Sequence, residues 1–352
     1  MMGNRDIRSL RYDDVAALDV LSGLPSYRAD QLFHWLHGER VGHFSEMLNL
    51  PGDLRSRLQE EYSITQPQVS ATRVSSDGSV KILYELEDGS AVETVVMRYR
   101  TGLSVCLSCQ VGCAMGCAFC ASATGLQRNL TPSEILGQLY EAHALYGRPA
   151  GVVLMGIGEP LDNLESVLDF CSIATDSRGY GLSNRGVTIS TCGLVPGIRR
   201  LAQDNKPYTL AVSLHAPDDE RRSRIMPVNR RYPIADLMAA CRDYTAATHR
   251  RITFEYAVMD GFNNRAGDAE SLVAWIAGMG AHVNVIPVNP VRAAFHATRQ
   301  TAVQFARQLH SLGQNATVRR TLGEDIEAAC GQLRSESSSN TEKQKVSTEQ
   351  LK

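Results

Sequence analysis

The sequence predicts an α/β fold, built on a parallel sheet or a partial barrel. Three observations carry that prediction. Six short apolar runs recur from about residue 101 onward, and helix-length stretches lie between several of them. No apolar run reaches the roughly 18–20 residues of a membrane span. Strands alternating with helices form parallel βαβ units, whose functional groups gather at the strands' C-terminal ends. With 352 residues, 43% hydrophobic and 21% charged, the chain has room for one large fold plus an appendage, and a fully disordered or fibrous state is excluded.

Taken in order, the N-terminus MMGNRDIRSLRYDD carries charges where a signal peptide needs an apolar stretch, so a cytoplasmic chain with no membrane partner is expected. Residues 1–68 read as a helical accessory domain. RADQLFHWLHGERVGHFSEML sets Leu32, Phe33, Trp35 and Leu36 at helical spacing, and LPGDLRSRLQEEY supplies a second amphipathic segment. Residues 69–100 form a β-rich extension, two β runs joined by the hairpin signal Glu87-Asp88-Gly89. The core, 101–334, holds the strand-like runs Leu103–Ser108, Val152–Ile157, Val187–Thr191, Thr209–Leu214, Ile252–Met259 and Val283–Val288. Its clearest helix, NLTPSEILGQLYEAHAL, opens with Thr131 as N-cap, Pro132 at the first helical position and Glu134 closing a capping box. Residues 335–352 are polar and aperiodic and read as a disordered tail.

The formal charge of −2 argues against an indiscriminate polyanion binder. Only five of the 36 cations are Lys, which reflects either base composition or local Arg patches suited to phosphates and stacked bases. ERRSRIMPVNRR, with five Arg in residues 221–231, and the Arg319–Arg320 pair are the candidate phosphate-binding patches.

Cysteine distribution is more informative. Nine Cys is an odd count, and Cys106, Cys109, Cys113, Cys117 and Cys120 fall within fifteen residues. In a reducing compartment such a cluster indicates metal binding or redox chemistry rather than disulfides. Cys113 to Cys120 reads C-A-M-G-C-A-F-C, a C-x3-C-x2-C spacing with Gly112 and Gly116 favouring a loop. Three thiolates can hold three irons of a [4Fe–4S] cube and leave the fourth open. A buried Cys stripe or a zinc site completed by a distant ligand are the alternatives. GIGEPL lacks the third Gly of a dinucleotide fingerprint, so NAD is rejected.

With Phe119 before its third Cys, the motif resembles that of the radical S-adenosylmethionine (SAM) superfamily. The segments V-C-L-S-C-Q-V-G-C, G-L-Q-R-N-L-T, M-G-I-G-E-P, S-L-H-A-P and D-I-E-A-A-C-G-Q-L extend the resemblance over about residues 25–333. Together they resemble the radical SAM adenine-C2 methyltransferases of 23S rRNA, several of which also modify tRNA. The resemblance implies a partial (β/α)6 radical SAM barrel and one [4Fe–4S] cluster on Cys113, Cys117 and Cys120. It also implies two SAM molecules per turnover and a reductant for the cluster. Cys330 matches the Cys that is methylated, and Cys106 the partner that resolves the RNA adduct through a transient Cys106–Cys330 disulfide. Glu93 matches the acidic proton acceptor, while Gly158, Glu159, Ser190, Ser213, Leu214, His215 and Asn289 match SAM contacts. Adenine-C8 methylation on the same framework is the alternative within the class. A non-catalytic iron–sulfur or zinc RNA-binding module would need no Cys330, and a radical SAM enzyme for other substrates would leave the Cys106/Cys330 pair unexplained. Two departures stand out: VRAAFHATRQ replaces a Gly/Pro-rich loop, and Cys109 and Cys192 stand where Ser is more usual in these enzymes.

Overall fold

The computed structural model describes residues 5–289, 291 and 295–334. The expected disordered tail, 335–352, lies outside the described residues, as do positions 290 and 292–294 of the VRAAFHATRQ loop. The main sheet has ten strands, numbered here β1 Gln68–Val74, β2 Val80–Glu85, β3 Ala91–Tyr99, β4 Gly102–Cys106, β5 Gly151–Leu154, β6 Val187–Thr191, β7 Thr209–Ser213, β8 Thr253–Val258, β9 His282–Pro287 and β10 Ala316–Val318. Their spatial order is their chain order, and β1 and β10 remain edges, so the sheet curls without closing. β1 to β4 are joined antiparallel and β4 to β10 parallel.

All six anticipated strands form, with ends shifted by at most a few residues. The sequence did not indicate β10, which at three residues is too short to show a period. The hairpin at Glu87-Asp88-Gly89 joins β2 to β3, with Gly89 at φ +78°. Because β3 pairs with β4, the β-rich extension is continuous with the parallel sheet.

Helices α1 Tyr12–Ala16, α2 Tyr27–His34 and α3 Gly52–Glu61 make the N-terminal module. Leu32, Phe33 and Leu36 are fully buried, and Arg8, also buried, donates to the carbonyls of Arg40 and Val41. The barrel helices are α4 Pro132–Tyr146, α5 Leu164–Thr175, α6 Val195–Asp204, α7 Asp219–Ile225, α8 Ile234–Thr248, α9 Asp268–Ile276 and α10 Arg299–Ser311. At the head of α4 the Thr131 hydroxyl accepts from the Glu134 amide, and the Glu134 carboxylate accepts from the Thr131 amide. His37 Nδ1 lies 2.8 Å from the Tyr140 hydroxyl on α4, docking the module onto the barrel. One continuous apolar core runs from Ile7 through the module to Ala316 on β10.

Residues 319–334 have little regular structure and form a strap back across the first strands. Ser75 Oγ and the Ser76 amide donate to the Asp325 carboxylate at 2.5 and 2.9 Å, and the Gly323 amide donates to Asp77 at 2.9 Å. Lys81 Nζ on β2 reaches the Glu327 carbonyl at 3.1 Å, and the Arg334 amide donates to Glu93 on β3 at 2.8 Å. On its other side the Ala121 amide and Ser122 hydroxyl donate to the carbonyls of Gly331 and Leu333. Asn289, just past β9, donates to the Cys330 carbonyl at 2.9 Å.

Candidate active site

After β4 the chain makes a small antiparallel hairpin, Gln110–Cys113 with Gly125–Asn129, whose connection carries Cys117 and Cys120. Gly112 has φ +76°, and a Cβ there would lie 2.0 Å from the Gly125 carbonyl oxygen, so no larger residue fits this hairpin. The Ala118 amide donates to the Ile225 carbonyl, and Phe119 packs edge-to-face on His215 with ring centroids 4.9 Å apart. These contacts turn Cys113, Cys117 and Cys120 toward a single cavity at the C-terminal ends of the parallel strands.

That cavity encloses about 940 Å³, including its open mouth. The three Cys share its walls with Gly158, Glu159, Ser190, Ser213, His215, Asn289 and Cys330. Burial pushes the Cys113 thiol up to about 11 and raises those of Cys117 and Cys120. All three are soft thiolate donors on one cavity wall, the donor set that an iron–sulfur cluster takes. His215 sits at φ +56°, and its Nδ1 accepts from the Ala257 amide at 3.0 Å. Burial, reinforced by Arg222, lowers its pKa to about 3, so the ring is neutral with its proton on Nε2.

Glu159 is buried at the cavity wall. Its carboxylate accepts from the Leu161 and Cys192 amides at 3.1 and 2.7 Å, and burial raises its pKa. Gly158 has φ +109°, and a Cβ there would meet Gln110 Cβ at 2.6 Å. Its small size is therefore already required by the protein's own packing. Leu214 does not line the cavity: its side chain is in the core, and its carbonyl accepts from Arg222 Nε at 3.1 Å.

A second, smaller cavity of about 520 Å³ lies against the strap, walled by Val95, Met97, Cys106 and Leu322 among others. Cys106, the last residue of β4, sits opposite Val95 on β3 and Val153 on β5. Burial pushes its thiol up to about 12, and neighbouring Cys330 adds to the shift. Met155, Ile286, Asn289, Arg319 and Cys330 line both cavities, so Cys330 stands in the partition with Cys106 on one side and the cluster motif on the other. Glu93 lines neither cavity. Its carboxylate is 3.0 Å from Lys81 Nζ, buried beneath the strap rather than facing solvent.

The arginine patches resolve unevenly. Arg319 is inside the barrel, with Nη1 3.7 Å from Glu255 Oε2 and 3.6 Å from Met155 Sδ. Arg221 grips Asp268 with two hydrogen bonds of 2.7 and 2.9 Å, and fully buried Arg222 donates to the Cys192, Ser213 and Leu214 carbonyls. Arg224, Arg230 and Arg231 are left exposed. Sequence reasoning missed Glu255 and Lys81. A lone carboxylate inside the apolar run Ile252–Met259 was the available signal for the first; the second is one Lys on a strand buried from Val80 to Tyr84, where no alternation marks which face it takes.

Comparison with known proteins bears on this geometry. Residues 107–272 match the Radical SAM superfamily, and residues 10–64 match the ribosomal RNA large subunit methyltransferase N-terminal domain. Over 341 residues the chain is 48% identical to the probable dual-specificity RNA methyltransferase RlmN of Pelotomaculum thermopropionicum, covering 95% of this chain and 93% of that protein. The chain belongs to the RlmN family of radical SAM RNA methyltransferases. A Staphylococcus aureus RlmN relative is 42% identical over 94% of this chain and 93% of its own. The crystal structure of a radical SAM methyltransferase from Sphaerobacter thermophilus superposes with a TM-score of 0.88 at 40% identity, covering 94% of this chain and 100% of that one. RlmN membership thus accounts for both the helical module and the barrel as parts of one RNA-modifying enzyme. Among the described residues no helix is long and apolar enough to cross a membrane.

Proposed function

We propose that this enzyme methylates C2 of an adenosine in 23S rRNA, and in tRNA as a second substrate, through a methylated Cys330 and a transient Cys106–Cys330 disulfide. The observation carrying this reading is that Cys330 borders both cavities while Cys106 borders one. Cys113, Cys117 and Cys120 hold the cluster in this reading, while Gly158, Glu159, Ser190, Ser213, His215 and Asn289 surround SAM, with Leu214 contributing only backbone. When bound, the reduced [4Fe–4S] cluster and one SAM supply a hydrogen-abstracting 5′-deoxyadenosyl radical, and a second SAM supplies the methyl group.

The protein's own residues do the rest. Cys330 carries the methyl carbon to the base: hydrogen abstraction breaks one of its C–H bonds, the carbon then bonds to adenine C2, and the displaced C2 hydrogen leaves as a proton to Glu93 and an electron that the bound cluster would accept. The Cys106 sulfur then attacks the Cys330 sulfur as its thiol gives up its proton: the S–S bond forms, the S–C bond breaks, and its electron pair leaves with the carbon, which takes up the proton the thiol released. Asn289 holds the Cys330 backbone during these exchanges. Glu93 is the proton acceptor in this reading, and its Lys81 partner must loosen for it to act. The reductant that loads electrons and clears the disulfide comes from the cytoplasm, the setting that suits a chain with this many thiols.

The test is anaerobic reconstitution with iron and sulfide, then SAM and deproteinised ribosomal RNA, with mass spectrometry of the nucleosides. Wild type yields 2-methyladenosine and Cys330→Ala none. Cys106→Ala accumulates a covalent protein–RNA adduct. 8-Methyladenosine would move the chemistry to C8, and a loaded cluster without SAM cleavage would sink the enzymatic reading.

A further inference from the structure

A third hollow, separate from the two cavities, opens at the strands' C-terminal rim. It is a cleft of about 650 Å³ whose walls include Arg224, Met259, Asp260, Phe262, Phe295 and His296. We propose that this cleft binds a nucleobase of the RNA substrate next to the methylated adenosine, and selects bases that offer a hydrogen-bond donor to Asp260. The proposal rests on the chain acting on RNA.

Its chemistry suits a base. Phe262 and Phe295 stand edge-to-face with centroids 6.1 Å apart, and the Arg224 guanidinium lies 5.3 Å from the Phe262 centroid. Aromatic faces with an adjacent Arg form the stacking platform by which proteins hold unpaired bases. Asp260 Oδ1 is buried with no hydrogen-bond partner among the described residues, although the Asp260 amide is tied to the His296 carbonyl at 2.9 Å. A buried acceptor without a donor is destabilising. An exocyclic amino group of adenine, cytosine or guanine supplies that donor; uracil has a carbonyl in place of the cytosine amino group and only its ring N3–H to offer.

The platform is held in place beforehand. The Phe262 amide donates to the Met259 carbonyl at 3.0 Å, and the Phe262 carbonyl accepts from Arg221, which Asp268 clamps. The Asn263 side chain binds the Met259 amide and the His215 and Ala257 carbonyls. Met259 and Phe262 also share an apolar cluster with Cys117 and Phe119, placing the cleft beside the cysteine loop. Exposed Arg224, Arg230 and His296 set positive or polar groups at the rim, complementary to phosphates.

The experiment uses reconstituted holoenzyme and short RNA hairpins that present one adenosine flanked by A, C, G or U. Hairpin affinity is read by fluorescence anisotropy, and kcat and KM by methyl transfer. Phe262→Leu is expected to raise Kd and KM for RNA about ten-fold, with kcat at saturating RNA unchanged. Wild type disfavours uridine at one flank, and Asp260→Asn, which can also donate, removes that discrimination. Unchanged RNA affinity in both variants, with melting temperatures intact, would overturn the proposal. So would a loss confined to cluster reduction by a protein donor and rescued by dithionite, which would give the cleft to the reductant. A wild type that bound the hairpins without methylating them would fail the catalytic reading, while the anisotropy series would still decide the cleft.

Discussion

Arg319 and Glu255 are a charge pair inside the barrel, and their worth lies in not being left alone. Burial raises the Glu255 pKa, Arg319 opposes that shift, and the Asn284 amide supplies a further bond at 3.1 Å. Arg319→Met strands the carboxylate and is expected to cost about 3 kcal/mol, whereas adding Glu255→Gln recovers most of it. A double-mutant cycle by urea denaturation measures both. Two histidines set an acid limit. His37 and His215 are both buried and lowered to about 3, against an ordinary value near 6.5. Between those values the unfolded chain binds the extra proton, so each histidine's contribution falls as pH falls, by about 1.4 kcal/mol per pH unit. His37→Gln is therefore expected to lose less stability than wild type between pH 6.5 and 5, compared by urea midpoints.

Among the elements, the strap is held by side-chain hydrogen bonds and by burial of Leu322, Ala328 and Leu333 against Val95, Met97 and Cys106, and the buried Lys81–Glu93 pair fixes two points of it. Lys81→Met removes the hold on the Glu327 carbonyl and leaves Glu93 buried without its cation. Amide hydrogen exchange in 323–334 should rise at least ten-fold while α4 and β6 keep their protection. Equal exchange in both proteins would show that Asp325 and Asp77 suffice. The strands and α4 could be read from sequence because their signals are local: β6 alternates buried and half-buried residues, and α4 carries its own cap. The strap could not be read that way. Its partners are about 250 residues away, and no period or cap marks a segment fixed by distant side chains. For the same reason the cysteine spacing was visible, while the inward turn of Arg319 and the burial of Glu93 were not.

On the scale of the molecule, the helical module and the barrel share one apolar core despite matching two separate family descriptions. The chain has two Trp, and each reports on one part: Trp35 on the module and Trp275 on α9. Trp35→Phe and Trp275→Phe should therefore give superimposable urea transitions by fluorescence of the remaining Trp. A lower midpoint at Trp35 would show that the module opens first.

The strap also sets an order of assembly. Each strand of the main sheet pairs with its neighbour in the chain, so the sheet can grow by short loop closures. Among the described residues the strap's hydrogen bonds close loops of up to 250 residues, and its landing points on β2, β3 and the cysteine hairpin must exist first. Cys330 therefore reaches its place late in folding, and heat releases it early. Thermal inactivation should precede melting, and a chain with nearly all its native structure can still lack the residue that carries the methyl group.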